Sequence, residues 1–154
     1  MKTSVDVHNY LVERDIPHEL VPLQGRVRAP EHVAAVLGLP PQQVGRVVLF
    51  EGGDAPVAAV VPADREPDPS RVAGTLGSGD LRRMDASSAT EWSGFLEEAL
   101  PPAGLPEGTH IVVDRSLSDQ EILYFPGGEV TSVLKIRPGD LLRAVDARVA
   151  QIAA

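Results

Sequence analysis

The sequence predicts a single mixed-sheet domain of the α/β or α+β class, and three observations carry that reading. Two apolar, β-branched runs, residues 47–50 and 57–61, flank the turn-forming stretch Glu51-Gly-Gly-Asp-Ala55, so they pair as neighbouring strands. Neither run alternates with polar residues, which predicts burial on both faces beneath helices. Elsewhere strands and helices intersperse without strict alternation, which favours a mixed sheet over a doubly wound one. With 154 residues the chain suits one domain, spanning 1–154, with a substantial core.

Thr3 and Ser4 can cap a first helix running to about Arg14, with Val7, Tyr10 and Leu11 on its buried stripe. Residues 16–23 alternate as a strand that Pro17 and Pro22 confine to a sheet edge. A loop bearing Arg26 and Arg28 leads to a second helix, begun by Pro30, with Val33, Val36 and Leu37 inward and Gly38 as its left-handed stop. After the central hairpin, a polar, proline-rich connection over 62–69 precedes a short helix opened by Ser70 and ended by Gly77. Residues 81–84 give a weak strand signal. Ser88-Ala-Thr-Glu91 has the form of a capping box, and Trp92, Phe95, Leu96 and Ala99 share a helical face, so a third substantial helix is predicted to about Leu100, where Pro101-Pro102 stop it. Strands follow over 110–114, 121–125 and 130–136. A short helix starts at Pro138, with Asp140 in its first turn, Arg143 in its last, and Leu141 and Leu142 inward; residues 146–152 form a closing strand.

Composition narrows the function. The chain is 43% hydrophobic and 23% charged, has no apolar run long enough to span a bilayer, and starts without the apolar core of a signal peptide, so a cytosolic location without a membrane partner is expected. The absence of cysteine excludes disulfides, thiolate nucleophiles and cysteine-ligated metals. A net charge of −8 argues against binding nucleic acid through the overall field, and no DNA partner is expected; a local basic rim remains compatible with it. His8, His18, His32 and His110 are dispersed without metal-ligand spacing, so no metal is expected, and no G-x-S-x-G elbow, phosphate-binding loop, dinucleotide fingerprint or H-E-x-x-H pair occurs. Glu97 and Glu98 read as a solvated helix face, Arg82-Arg83 as exposed, and Gly52-Gly53 and Gly127-Gly128 as tight turns that also let backbone approach a ligand.

Four stretches in order add to this. Ile16-Pro-His-Glu-Leu20, Ala29-Pro-Glu-His-Val-Ala-Ala-Val-Leu-Gly38, Arg46-Val-Val-Leu-Phe50 with residues 57–62, and Ile111-Val-Val-Asp114 through Gly128 with Ser132-Val-Leu-Lys-Ile-Arg-Pro-Gly-Asp-Leu-Leu142 together resemble the YbaK/prolyl-tRNA editing domain family. These are aminoacyl-tRNA deacylases that occur alone or inserted in prolyl-tRNA synthetases. The resemblance implies a mixed, largely antiparallel sheet with surrounding helices, a pocket for the aminoacyl-tRNA 3' end, hydrolysis of a mischarged ester, no cofactor, and an aminoacyl-tRNA synthetase as a further partner. It implies that Arg46 stands where the family has a lysine, Glu98 and Pro102 where it has the glycine and proline of a Gly-x-x-x-Pro loop, and Asp114 at its acidic strand end, with Gly127 and Gly128 near a pocket-lining turn. Arg46 and Asp114 are thereby the candidate catalytic residues, and Glu98, Pro102, Gly127 and Gly128 the candidate substrate-binding ones.

Two positions depart from the family pattern. Arginine keeps the charge of lysine but presents a planar fork. Glutamate at 98 adds bulk and negative charge near an ester whose transition state is an oxyanion. A strand-end ion pair for Arg46 and a turn cap for Asp114 are the competing structural readings. A catalytically degenerate binding module on the same scaffold, recognising a small ligand or protein, is the alternative function.

Overall fold

The computed structural model describes residues 1–24 and 30–154, so the loop with Arg26 and Arg28 lies outside the described residues. The central hairpin forms as its composition demands. β2 (Gly45–Glu51) and β3 (Val57–Pro62) run antiparallel, in register from Phe50↔Val57 to Gly45↔Pro62. Alternate residues point to opposite faces, and both faces are covered. Val47, Leu49, Ala58 and Val60 enter a larger core, while Val48, Phe50, Val57, Ala59 and Val61 enter a second one. Each fully buried valine in this hairpin contributes about 1.5–3 kcal/mol relative to exposure, which is why a run without polar residues is stable here.

The hairpin is the middle of a five-stranded sheet ordered β4-β2-β3-β5-β8, completed by β4 (Arg82–Arg83), β5 (His110–Asp114) and β8 (Ala147–Ala150). The β3–β5 and β5–β8 pairs are parallel and the others antiparallel. A second, antiparallel sheet has the order β1-β7-β6, formed by β1 (Glu19–Pro22), β7 (Ser132–Ile136) and β6 (Leu123–Pro126). The expected mixed, largely antiparallel arrangement is present, divided between two sheets that meet at a parallel bridge from Val44 to Tyr124. Gly45 permits that approach: a Cβ there would lie 2.1 Å from Cε1 of the buried Phe125. The larger core fills the space between the sheets, with Phe125, Leu134 and Ile136 of the second sheet joining Val47, Leu49 and Val60 of the first.

The helices follow local signals, with several differences from expectation. α1 (Ser4–Glu13) starts in a capping box: the Val5 amide donates to Thr3 Oγ1 (3.2 Å) and the Thr3 amide to Asp6 Oδ2 (2.8 Å). It buries Val7 and Leu11. In α2 (Pro30–Leu37) Ala34 takes the inward place predicted for Val36, which is 59% exposed. α3 (Pro69–Leu76) is capped by Asp68 instead of Ser70 and ends at Gly77 with φ 65°. α4 (Ala86–Ser93) is capped by Asp85, which accepts from the Ser88 amide at 2.7 Å, so the Ser88–Glu91 box is not used. It also stops seven residues short of Leu100, because Gly94 adopts φ 82° and ends the helix in the left-handed conformation. A loop with one 3-10 turn, Glu97–Ala99, follows. α5 (Arg115–Ser118), which local sequence does not announce, and α6 (Pro138–Ala144) complete the elements; Asp140 and Arg143 pair across a turn of α6.

Candidate functional site

Arg46 enters at the second position of β2, on the sheet face of Val48 and Phe50, and its side chain is only 14% exposed. Its Nη1 donates to Glu66 Oε1 at 2.7 Å. The other oxygen of the same carboxylate accepts from Arg83 Nη1 at 3.3 Å, and Arg83 Nη2 lies 3.8 Å from Glu97 Oε1. Four side chains from β2, the 62–69 connection, β4 and the 3-10 turn thus form a ladder of alternating charge. It links the start of the central hairpin to the turn that carries Glu98.

That turn exists because α4 ends early. The early stop replaces the predicted helix over 94–100 with the loop that the Gly-x-x-x-Pro resemblance requires. Phe95, Ala99 and Leu100 are buried and anchor it, and the Ser93 hydroxyl accepts from the Phe95 amide at 3.1 Å. Gly127 and Gly128 lie against it: the Gly128 amide donates to the Ala99 carbonyl at 3.1 Å, and the Gly127 amide to the Ser132 carbonyl at 2.9 Å. A Cβ on Gly128, where φ is 95°, would meet Phe95 and Val7 at 3.0 Å, and one on Gly127 would meet Ser132 Oγ at 2.9 Å. Both glycines are therefore needed for close packing. Their amides are engaged within the fold, so they are not open donors for an oxyanion.

Glu98 lines a small cavity of about 10 Å³ with Leu23, Val33, Pro126 and Ser132. Pro102 is buried and faces a different hollow of about 140 Å³ beside Tyr10 and Gly104. Two larger cavities lie away from all six candidate residues. One of about 470 Å³ sits beside the β2–β3 turn, under Trp92, and the other, about 580 Å³, sits at the β1–β7 edge beside His18 and Lys135.

Asp114 occupies the end of β5, on the same face as Arg46 and separated from it by β3, about 10 Å away by strand spacing. It is 3% exposed. Its Oδ1 accepts from the amides of Ile152 and Ala153, both at 2.9 Å, and its Oδ2 from the amide and hydroxyl of Ser116. Burial pushes its pKa up, but the Ser116 hydroxyl and the Ala153, Ile152 and Ser116 amides outweigh that and hold the carboxyl below its ordinary value. The structure thus connects Arg46 to the turn that carries Glu98 through Glu66, Arg83 and Glu97, sets Gly128 against that turn at Ala99, turns Pro102 toward a separate hollow, and gives Asp114 a full set of structural donors.

A family model described as "Aminoacyl-tRNA editing domain" matches residues 25–144. The chain belongs to the aminoacyl-tRNA editing domain family. Among curated proteins it is similar to a proline–tRNA ligase of Desulfotalea psychrophila, 28% identical over 103 residues that cover 67% of this chain and 18% of the ligase. It is also similar to one of Nitratidesulfovibrio vulgaris, 30% identical over 87 residues that cover 56% of this chain and 15% of the ligase. The chain thus spans less than a fifth of the length of these curated relatives. Among solved structures, hypothetical protein APE2540 superposes with a TM-score of 0.90 at 24% identity, covering 97% of this chain and 99% of that one. A candidate trans-editing enzyme for prolyl tRNA synthetase gives 0.88 at 20% identity, covering 100% and 98%. At these identities the two structures establish the editing-domain fold and nothing finer.

In this editing domain, the sequence singles out Arg46 but not the groups that hold it. Glu66 lies in a connection without periodicity, and Arg83 and Glu97 look locally like solvated charges. Only the fold joins positions spaced 20, 17 and 14 residues apart. Among the described residues no helix is long and apolar enough to cross a membrane, and no group of three or more His, Asp or Glu is arranged to hold a metal ion.

Proposed function

We propose that this editing domain hydrolyses mischarged aminoacyl-tRNA in trans, taking the charged 3' end as its substrate and working alongside an aminoacyl-tRNA synthetase in the cytoplasm. Family membership over residues 25–144 is the observation that carries the reading. In the reaction, water adds to the ester carbonyl, the carbonyl oxygen becomes an oxyanion, and the ribose oxygen leaves with the proton that the water gives up. No protein nucleophile is required, and orientation together with charge stabilisation accounts for the acceleration.

Arg46 supplies the positive charge at the site. The half of its guanidinium fork not held by Glu66 contacts the terminal phosphate or the ester carbonyl. Gly127 and Gly128 wall the pocket against the 3-10 turn, Glu98 borders the amino-acid subsite, and Pro102 stiffens the loop behind it. Asp114 contributes by holding the chain around the site in place, and its four hydrogen bonds favour this role over direct contact with substrate.

The test is hydrolysis of Ala-, Ser-, Cys- and Pro-tRNA by catalytic amounts of the protein. Selective release of one amino acid above the buffer rate is the expected result. Release at the buffer rate for all of them would refute the deacylase reading for this panel and shift weight to a binding module on the editing scaffold.

A further inference from the structure

The ladder of charges beyond Arg46 has a use that the editing reaction alone does not assign. We propose that Glu66 is the positioning residue for Arg46, and that Arg83, by sharing the Glu66 carboxylate, sets the charge that Arg46 presents to substrate. The inference rests on the reading of Arg46 as the substrate-contacting cation.

Three features support it. The first is geometry. Glu66 takes a single terminal nitrogen of Arg46, at 2.7 Å, on a side chain otherwise mostly enclosed, so a long flexible cation is fixed in direction through one arm of its donor fork.

The second is charge sharing. A carboxylate that served Arg46 alone would neutralise it. Here the second Glu66 oxygen is bound by Arg83 at 3.3 Å, and Arg83 in turn faces Glu97 at 3.8 Å, so the ladder as a whole is formally neutral and its cationic end lies at the head of β2. On a chain of net charge −8 that makes a local point of attraction for an anionic or oxyanionic group.

The third is support. The Glu66 backbone is fixed by the C-terminal segment: the Ala154 amide donates to the Glu66 carbonyl at 2.8 Å, Pro67 bridges to Ala153, and the Asp68 amide donates to the Ile152 carbonyl at 2.7 Å. The amides of Ile152 and Ala153 are in turn bound by Asp114. Asp114 therefore reaches Arg46 through the tail and Glu66, without touching substrate.

The experiment compares steady-state hydrolysis of the preferred aminoacyl-tRNA by wild type, Arg46→Ala, Glu66→Ala, Glu66→Gln, Arg83→Ala and the Glu66→Ala/Arg83→Ala pair. Thermal midpoints serve as folding controls. Loss of positioning predicts that Glu66→Ala lowers kcat about tenfold while KM stays within about twofold. Glu66→Gln, which keeps an acceptor for Arg46, recovers most of that loss. Because Arg83 acts through Glu66, Arg83→Ala lowers kcat less, and the double variant is no slower than Glu66→Ala. A wild-type kcat in Glu66→Ala, or losses that multiply in the double variant, would overturn the inference while a slow Arg46→Ala left the editing reading standing. A wild type that hydrolyses nothing, or an Arg46→Ala at the wild-type rate, would overturn that reading and this inference with it.

Discussion

Replacing Asp114 by alanine removes the acceptor for four donors at once. Two of them, the amides of Ile152 and Ala153, are buried, and the loss leaves them without the partner the structure gives them. A buried donor left unsatisfied costs about 1–3 kcal/mol, and a hydrogen bond to a charged group contributes about 1.5–3 kcal/mol. Two such amides, with the Ser116 contacts partly recovered by water, give an expected loss of about 3–5 kcal/mol. For a chain of this size that lowers the thermal midpoint by roughly 10 °C. Asp114→Asn keeps one oxygen for the tail amides but turns an NH2 group toward the Ser116 amide, so about 1–3 kcal/mol is expected.

The pH dependence has a definite sign. The folded carboxyl sits below its ordinary value, so its stabilisation is complete above the unfolded value of about 3.9 and is lost as pH falls through the lower folded value. The stability gap between wild type and Asp114→Asn is therefore constant from pH 7 to about pH 5 and narrows below about pH 4. Urea unfolding of the three proteins across that range is the assay. A loss under about 1 kcal/mol for Asp114→Ala at pH 7, or a gap that widens in acid, would refute the assignment of these hydrogen bonds.

Gly128→Ala forces a side chain into the left-handed region and into contact with Phe95 and Val7 at 3.0 Å; strain and overpacking together predict about 3 kcal/mol of destabilisation by urea unfolding. Thr3→Ala removes the acceptor of the α1 capping box, and a loss of about 1 kcal/mol with unchanged deacylation is expected. Arg46→Lys keeps the charge but gives up the fork, so hydrolysis slows by about tenfold or less, clearly milder than in Arg46→Ala, when single-turnover rates are compared.

Sequence made the centre of this fold legible because the signals there are local and mutually consistent. The unbroken β-branched runs of β2 and β3 require burial on both faces, and the structure supplies a core on each side. Edge strand β1, the Gly38 and Gly77 stops and the Pro138 helix are equally local. Between 94 and 100 the apolar face predicts a helix, and the glycine at its start overrides that pattern. Phe95, Leu96 and Ala99 do fall at helical spacing, but Gly94 in the left-handed region ends α4, and Phe95 and Ala99 bury themselves from a loop. Glu98 and Pro102 are therefore carried after the end of the helix and not on it. The support of Arg46 and the tail contacts of Asp114 were not legible, because their partners lie 20 and 38 residues away with no periodic relation. Charge pairs of this kind are decided by which strands neighbour one another, and the sequence pattern does not state that order.

Arg46, at the head of β2, is the cation through which we propose this editing domain engages its substrate. Its pair with Glu66 is formed with a carboxylate that is 61% exposed and contributes about 1 kcal/mol or less, whereas the Arg46 side chain is 14% exposed, so Arg46→Ala also loses packing and its thermal midpoint is measured beside its rate. The decisive measurement is the single-turnover hydrolysis rate of the preferred mischarged tRNA with saturating wild-type or Arg46→Ala protein. A rate lower by about 100-fold in a variant that remains folded is predicted, the usual cost of removing one preorganised charge at a developing oxyanion. An unchanged rate would contradict the account.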